Sequence, residues 1–443
     1  MIPISSISED LEKWIDAYQS NGYLHGAILV AKGDDVLLSE GFGMANVEHQ
    51  AANSPKTKFR IGSITKGFTA MAIFQLYENK QLDINDSIDK YFPSYPNGNK
   101  ITLYHYLTNS SGISNFTGAT DFWSRKMRLP FTLSEMIDSF KQTELEFEPG
   151  HEYSYSSSGY LVLTAIIQKL SGKTYEEYMY DYIFLPLGME NTGVDNGRTV
   201  VPDLASGYSY WEAPIHAEYA DMSFPSGGYG IYSTTEDLLK WSRSLMDPVL
   251  ISCETTAKML KAYLNDYACG WSVAPQFGKR CLSHFGDVSG YASNFLQFTD
   301  DQITIIFLSN LSVSPVVDLT KELAKLIYGK PAMLPDPLKP ISFEPDRELC
   351  GTYYFENEPD KSIEISFKDQ GFFVTVPKMY GTLYKFKLHL IERGTGELLF
   401  MTEGVHERLV ISSGRTGVEF VFYTDCHGNN FCLKAYRGEK KGG

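Results

Sequence analysis

Between Ile61 and Leu76 the chain carries Ile64, Phe68, Ala70, Met71, Ile73, Phe74 and Leu76, which would fall on nearly every side of a helix. A helix with no polar face must be covered all round, so the rest of the fold has to be built around this segment. At its start stand two polar residues. Ser63 and Lys66, in Ser63-Ile64-Thr65-Lys66, are three apart and share one face of the predicted helix. Ser63 also falls at the positive end of the helix dipole, where negative charge is favoured. A serine becomes a nucleophile when one group takes its proton and another stabilises the oxyanion its attack creates. The pair points to acyl transfer through a serine whose base is not a histidine. A second S-x-x-K, Ser87-Ile88-Asp89-Lys90, lies in a polar stretch with no apolar helix behind it and reads as a solvated surface pair.

With 443 residues and 43% hydrophobic content, the chain has room for two or three domains with substantial cores. Its net charge of −15 and lack of any long Lys/Arg block argue against nucleic acid and against an anionic membrane surface as partners. No run approaches the roughly 18 apolar residues that span a bilayer. Met1-Ile2-Pro3-Ile4-Ser5 leads into an amphipathic segment, Glu9 to Tyr18, without the basic start and apolar stretch of a secretory signal. Six cysteines are too few and too scattered for a disulfide scaffold in a chain of this length. Reduced thiols and a cytoplasmic setting are therefore expected. Cys426 and Cys432 flank His427-Gly428-Asn429-Asn430, which reads as a hairpin turn rather than a metal site. No metal or organic cofactor is expected.

Gly26 to Ala31 and Val36 to Ser39 flank the turn Lys32-Gly33-Asp34-Asp35 and predict a β-hairpin. Helical patterns follow at Leu133–Phe140, at Leu161–Leu170 ending on Ser171-Gly172, and at Thr235–Leu245. Strands return at Tyr291–Phe298 and Ile303–Leu308, followed by a helix over Val317–Ile327. Strands at both ends with helices between imply an α+β domain over residues 1–330, its antiparallel sheet closed by N- and C-terminal segments. Pro331, Pro335, Pro337, Pro340 and Pro345 mark residues 331–345 as a linker. Beyond it, seven or eight short alternating segments at roughly ten-residue spacing predict a small antiparallel β-barrel or sandwich over 346–443.

Two further motifs complete a frame. Pro149-Gly150 leads into Tyr153-Ser154-Tyr155-Ser156-Ser157-Ser158-Gly159-Tyr160, and His284-Phe285-Gly286-Asp287 precedes the strand at Tyr291. With Ser63-x-x-Lys66 these resemble, in order and spacing, the three motifs of the penicillin-recognising serine hydrolases. The branch they are most similar to is the class C β-lactamase-like group, which includes low-molecular-mass penicillin-binding proteins, D-aminopeptidases and esterases. The resemblance covers about residues 10 to 330. It extends to Leu107-Thr108-Asn109-Ser110-Ser111-Gly112 and Pro225-Ser226-Gly227-Gly228. Some relatives carry a lipocalin-like barrel after the catalytic domain.

The resemblance implies that Ser63 is the acylated nucleophile and that Lys66 shares its proton. A lysine buried beside a reacting serine has its charged form disfavoured and can accept a proton near neutral pH. Tyr155 takes the place of the motif tyrosine, a general base or relay beside Lys66. His284 and Gly286 stand on the substrate-binding strand, and the backbone N–H of Asp287 pairs with that of Ser63 as an oxyanion hole. Two departures stand out. Ser157 replaces an asparagine that would offer two donors and an acceptor, and His284 replaces a lysine, leaving only partial positive charge at pH 7 to hold a free carboxylate. Both weigh against efficient penicillin hydrolysis. The expected activity is a serine peptidase, amidase or esterase acting through an acyl-enzyme, with small-molecule or peptide substrates containing D-residues. A transferase or peptide cyclase using the same intermediate is one alternative, and a penicillin-binding sensor that acylates without turnover is another.

Overall fold

The computed structural model describes residues 4–358, 360–378, 381–414, 417–425 and 432–437. Helix α1 (Ile4–Ser20) comes first, and β1 (Gly26–Lys32) and β2 (Asp35–Phe42) form the expected hairpin. A 3-10 turn, Gly62–Ile64, runs directly into α2 (Thr65–Glu78). Next come α3 (Leu133–Phe140), α4 (Ser157–Ser171), a short hairpin of β3 (Tyr208–Trp211) and β4 (Ala213–His216), the one-turn helix α5 (Ser226–Tyr229) and α6 (Thr235–Met246). The strands β5 (Leu282–Val288), β6 (Tyr291–Phe298) and β7 (Ile303–Ser309) precede α7 (Val316–Ile327). Eight more strands follow: β8 (Gly351–Phe355), β9 (Ser362–Lys368), β10 (Gly371–Pro377), β11 (Leu383–Arg393), β12 (Glu397–Thr402), β13 (Glu407–Gly414), β14 (Gly417–Asp425) and β15 (Cys432–Arg437). Among the described residues, no helix is long and apolar enough to cross a membrane.

The chain divides into two compact units. One comprises Gly26–Ser206 and Glu218–Asn310. Its sheet runs β5-β6-β7-β1-β2 and is antiparallel throughout, so early and late strands meet at its centre with Ala27 opposite Leu308. Every residue of β6 and β7 is buried. On one face lies α6, where Ser242 pairs with Thr304 at 3.0 Å and accepts from the Gln297 amide at 2.8 Å. Helix α2 is buried at every position from Thr65 to Leu76, as its apolar surround requires. Phe68 stacks on Trp241 of α6 with ring centroids 4.1 Å apart.

Two local differences from the sequence reading concern the site. Ser63 sits in the 3-10 turn that enters α2, two residues ahead of the α-helix proper. Helix α4 starts at Ser157, four residues before the expected Leu161. The run Ser156-Ser157-Ser158 shows no apolar period. It becomes helical because the side-chain oxygens of Asn109 and Asn115 accept from the amides of Ser156 (3.2 Å) and Ser157 (3.3 Å), satisfying donors that a helix start leaves open.

The other unit comprises Met1–His25, Gly207–Ala217 and Leu311–Gly443. In α1, Ile7, Leu11, Trp14, Ile15 and Tyr18 form a buried stripe at helical spacing. The eight late strands pair in chain order, and β15 returns to β8 with Tyr353 opposite Arg437, closing an antiparallel barrel. In β11 the alternation is explicit: Tyr384, Phe386, Leu388 and Leu390 are buried, with less buried residues between them. Strand β8 and the β3–β4 hairpin are additions to the expected elements. The hairpin strands have four residues each and β4 contains Pro214, too little for a period-two signal. The hairpin joins the barrel beside β11, with Trp211 opposite Lys385. Residues 426–431, the tip of the expected Cys426–Cys432 hairpin, lie outside the described residues.

Candidate active site

Two backbone segments meet where neither can carry a side chain. Gly62 has φ +52°, and a Cβ there would fall 2.4 Å from the amide nitrogen of Asp287. A Cβ on Gly286 would fall 2.1 Å from the Ile61 carbonyl and 2.9 Å from the Ser63 nitrogen. The 3-10 turn therefore lies directly against β5. Ser293 of β6 fixes the contact, its hydroxyl 2.8 Å from the Ile61 carbonyl and 3.2 Å from that of Gly286.

Lys66 is fully buried, and three oxygens surround its Nζ: Ser63 Oγ at 2.9 Å, Gly228 O at 2.8 Å and Ser157 Oγ at 3.2 Å. Burial takes its ammonium down to about 7, against an upward pull from the Asp287 carboxylate. As an ammonium, Lys66 donates to all three oxygens. As a neutral amine it has two N–H groups, matched by Gly228 O and Ser157 Oγ, and one lone pair left for the Ser63 hydroxyl. At neutral pH the lysine can thus hold or release the proton that serine attack sets free.

Tyr155 lies on the same side, with Nζ of Lys66 4.9 Å from its ring centroid. Its ring is also 6.1 Å from that of His284 and 6.4 Å from that of Tyr267. The His284 Nε2 is 3.1 Å from the Tyr267 hydroxyl, and its Nδ1 is 2.6 Å from the Phe285 carbonyl. Burial first, and the Lys66 charge second, push His284 down to about 3. The imidazole is therefore neutral at pH 7. Its Nδ1–H donates to the carbonyl and its Nε2 accepts from Tyr267, whose phenol burial keeps protonated. Instead of the partial positive charge expected from sequence, this strand offers none.

The structure thus brings Ser63, Lys66, Tyr155, Ser157, His284, Gly286 and Asp287 into one neighbourhood. Ser87 and Lys90 stay apart from it: Ser87 donates to Asp89 at 2.5 Å, and Lys90 pairs with Asp86 at 2.7 Å. Two groups that touch the site were not read as functional from sequence. The Gly228 carbonyl is a backbone atom, though the Pro225-Ser226-Gly227-Gly228 marker contains it. Tyr267 carries no local motif. Among the described residues, no group of three or more His, Cys, Asp or Glu side chains could hold a metal ion.

A serine at the entry to a buried helix, with a lysine partner one turn on and an antiparallel sheet alongside, defines a class of acyl-transfer fold. The Beta-lactamase family profile matches residues 11–329, and the chain belongs to that family, as a serine hydrolase of the β-lactamase/D,D-peptidase superfamily. Over 312 residues it is 31% identical to the putative penicillin-binding protein PbpX of Bacillus subtilis (strain 168), covering 69% of this chain and 76% of that protein. It is 25% identical over 305 residues to the teichoic acid D-alanine hydrolase of Staphylococcus aureus (strain MRSA252), covering 68% and 73% respectively. Among solved structures, the octameric penicillin-binding protein homologue from Pyrococcus abyssi matches with a TM-score of 0.64 at 23% identity, covering 98% of this chain and all of that one.

Proposed function

We propose that the protein cleaves amide or ester bonds of D-residue-containing substrates through an acyl-enzyme on Ser63. The observation that carries this reading is the Lys66 amine 2.9 Å from Ser63 Oγ in a buried setting that takes its pKa to about 7. As Ser63 Oγ bonds to the acyl carbon, its proton passes to the Lys66 lone pair. The carbonyl oxygen becomes an oxyanion held by the N–H groups of Ser63 and Asp287. Collapse breaks the bond to the leaving amine or alcohol, which takes the proton by way of Lys66 and Tyr155. Water then attacks the ester, and the same groups return the serine proton.

The neutral His284 gives a free carboxylate no cation to bind, and Ser157 offers a single hydroxyl where an asparagine would offer two donors and an acceptor. Both favour acyl groups less anionic than penicillin. Similarity to the staphylococcal teichoic acid D-alanine hydrolase supports D-residue substrates. Intact-mass measurement against benzylpenicillin, D-Ala-D-Ala peptides, D-amino-acid amides and short-chain esters tests the proposal. A D-amino-acid amide or ester should give a transient adduct, and Ser63→Ala should abolish labelling by β-lactam or fluorophosphonate while the fold persists. Labelling that survives in Ser63→Ala, or moves to Ser87, overturns the assignment. An adduct that never clears makes the protein a non-turning-over binder, and amine-dependent product partition makes it a transferase.

A further inference from the structure

Strand β5 pairs with β6 on one side, in unbroken register from Leu282 opposite Gln297 to Val288 opposite Tyr291. Its other side faces the nucleophile. There Ser283 exchanges both backbone hydrogen bonds with Ser272, at 3.0 and 2.8 Å, which closes the first part of this edge. Alternate residues of a strand turn their N–H and C=O to the same side, so the next two positions on the edge are Phe285 and Asp287. Asp287 bears out the alternation. A Cβ on Gly62 would fall 2.4 Å from its nitrogen and 2.7 Å from its oxygen, so both atoms face the turn that carries Ser63. Phe285 is different, because its carbonyl oxygen lies 2.6 Å from Nδ1 of His284, the residue before it. A carbonyl oxygen can only accept, so Nδ1 carries the proton and the imidazole caps this carbonyl. The cap is fixed from its far end: His284 is buried, and its Nε2 lies 3.1 Å from the Tyr267 hydroxyl.

Resting on the acyl-enzyme reading above, we infer that His284 ends the substrate-binding edge of β5 at Phe285, so that the strand holds a leaving group through its first residue only. An acyl residue whose carbonyl accepts from the Asp287 N–H is placed to return its own N–H to the Asp287 carbonyl, the two-bond exchange of an antiparallel pair. The leaving group then runs toward the start of β5. Its first residue falls opposite Gly286, whose N–H and C=O turn to β6. Its second falls opposite Phe285, where its N–H would point at the carbonyl that His284 already engages. A further bond to that oxygen competes with a short one whose donor is fixed, and adds little to binding. His284 moves no proton in this scheme. It is a specificity residue that sets how much of the leaving group the strand can bind, a role separate from holding a carboxylate by charge.

The test uses the full chain and two D-alanyl-glycine donors that differ in one N–H. The N-methylamide carries an N–H at the second leaving-group position, and the N,N-dimethylamide does not. Wild type should cleave both after the D-alanyl residue with kcat/KM values within about twofold, because the Phe285 carbonyl gives that N–H no full bond. His284→Phe keeps a ring and removes the Nδ1 donor. With the carbonyl released, this variant should favour the N-methylamide about fivefold, the scale of one neutral hydrogen bond. The ratio of the two donors cancels any general loss of activity or packing, which a purely structural role would produce. If His284→Phe does not fold, His284→Ala is the second variant, and the wild-type ratio is a test without either. A wild-type preference for the N-methylamide beyond about twofold, or an unchanged ratio in a folded and active His284 variant, overturns the inference while leaving the acyl-enzyme intact. Cleavage of short-chain esters but of neither alanyl-glycine donor overturns the amide part of the reading above and this inference with it. Failure of every donor, esters included, to acylate Ser63 in wild type overturns the catalytic reading itself.

Discussion

Lys66 can serve as a base only while its amine is neutral, and its surroundings set where that happens. Burial lowers its pKa to about 7; the facing charge that opposes this is Asp287 on β5, since His284 on the same strand is neutral. The sign follows directly. Below pH 7 the amine is protonated and its lone pair is lost, so kcat/KM should rise with pH through a midpoint near 7. A pH profile on an uncharged ester measures this, and a rate that stays flat down to pH 5 would exclude Lys66 as the base. Tyr155 shares the proton with Lys66 in the proposed scheme. Lys66→Ala and Tyr155→Phe should each cost about 10²–10⁴ in rate, the range for a positioned acid–base group. The double variant should be little worse than either, because members of one unit are not additive. Multiplicative losses would mean the two act independently.

Between the 3-10 turn and β5 the contact is backbone on backbone, with no flexible side chain to yield. Gly286→Ala would drive a methyl to 2.1 Å from the Ile61 carbonyl. It should destabilise the protein by about 1–3 kcal/mol, as overpacking in a close-packed site does, and reduce Ser63 labelling more than 100-fold. Thermal unfolding with fluorophosphonate labelling reads both, and wild-type values would show that the strand can retreat at no cost. This contact also marks how far sequence reading goes. Helix α2 was legible because Ile64, Phe68, Met71, Ile73 and Phe74 leave it no polar face, and β7 because the run Ile303-Thr304-Ile305-Ile306-Phe307-Leu308 announces a buried strand. The start of α4 was not, since Asn109 and Asn115, more than forty residues upstream, supply its first acceptors. The positions of Ser63, Lys66 and Tyr155 followed from motif order. The neutral state of His284 did not, because it depends on burial beside Tyr267, which only the fold brings about. The Gly228 carbonyl on Lys66 is backbone, and no residue type encodes it.

At the scale of the whole chain, the barrel's core does not stop at the strands that close it. Tyr208, Tyr210, Leu311 and Val313 belong to the same buried cluster as Tyr353, Phe386 and Phe400, and Tyr210 stacks on Phe386 with ring centroids 5.3 Å apart. Glu212, at the hairpin tip, pairs with Lys385 at 2.6 Å and Lys368 at 3.0 Å. A chain ending at Leu334 would therefore lose the strands that cover two tyrosines, a leucine and a valine. Burial of one such side chain is worth about 1.5–3 kcal/mol, and exposing several together makes an apolar patch of the kind that drives association. The truncated protein should bind a hydrophobic dye and self-associate in size-exclusion chromatography, although Ser63, Lys66 and Tyr155 all lie within it. Adding Tyr208→Thr and Tyr210→Thr should restore a single species and reduce dye binding, with fluorophosphonate labelling of Ser63 retained. A truncated chain that is monodisperse and dye-free without those substitutions would show that the hairpin does not depend on the barrel for cover. Loss of Ser63 labelling in the rescued variant would instead show that Ser63, Lys66 and Tyr155 need the barrel to hold their geometry.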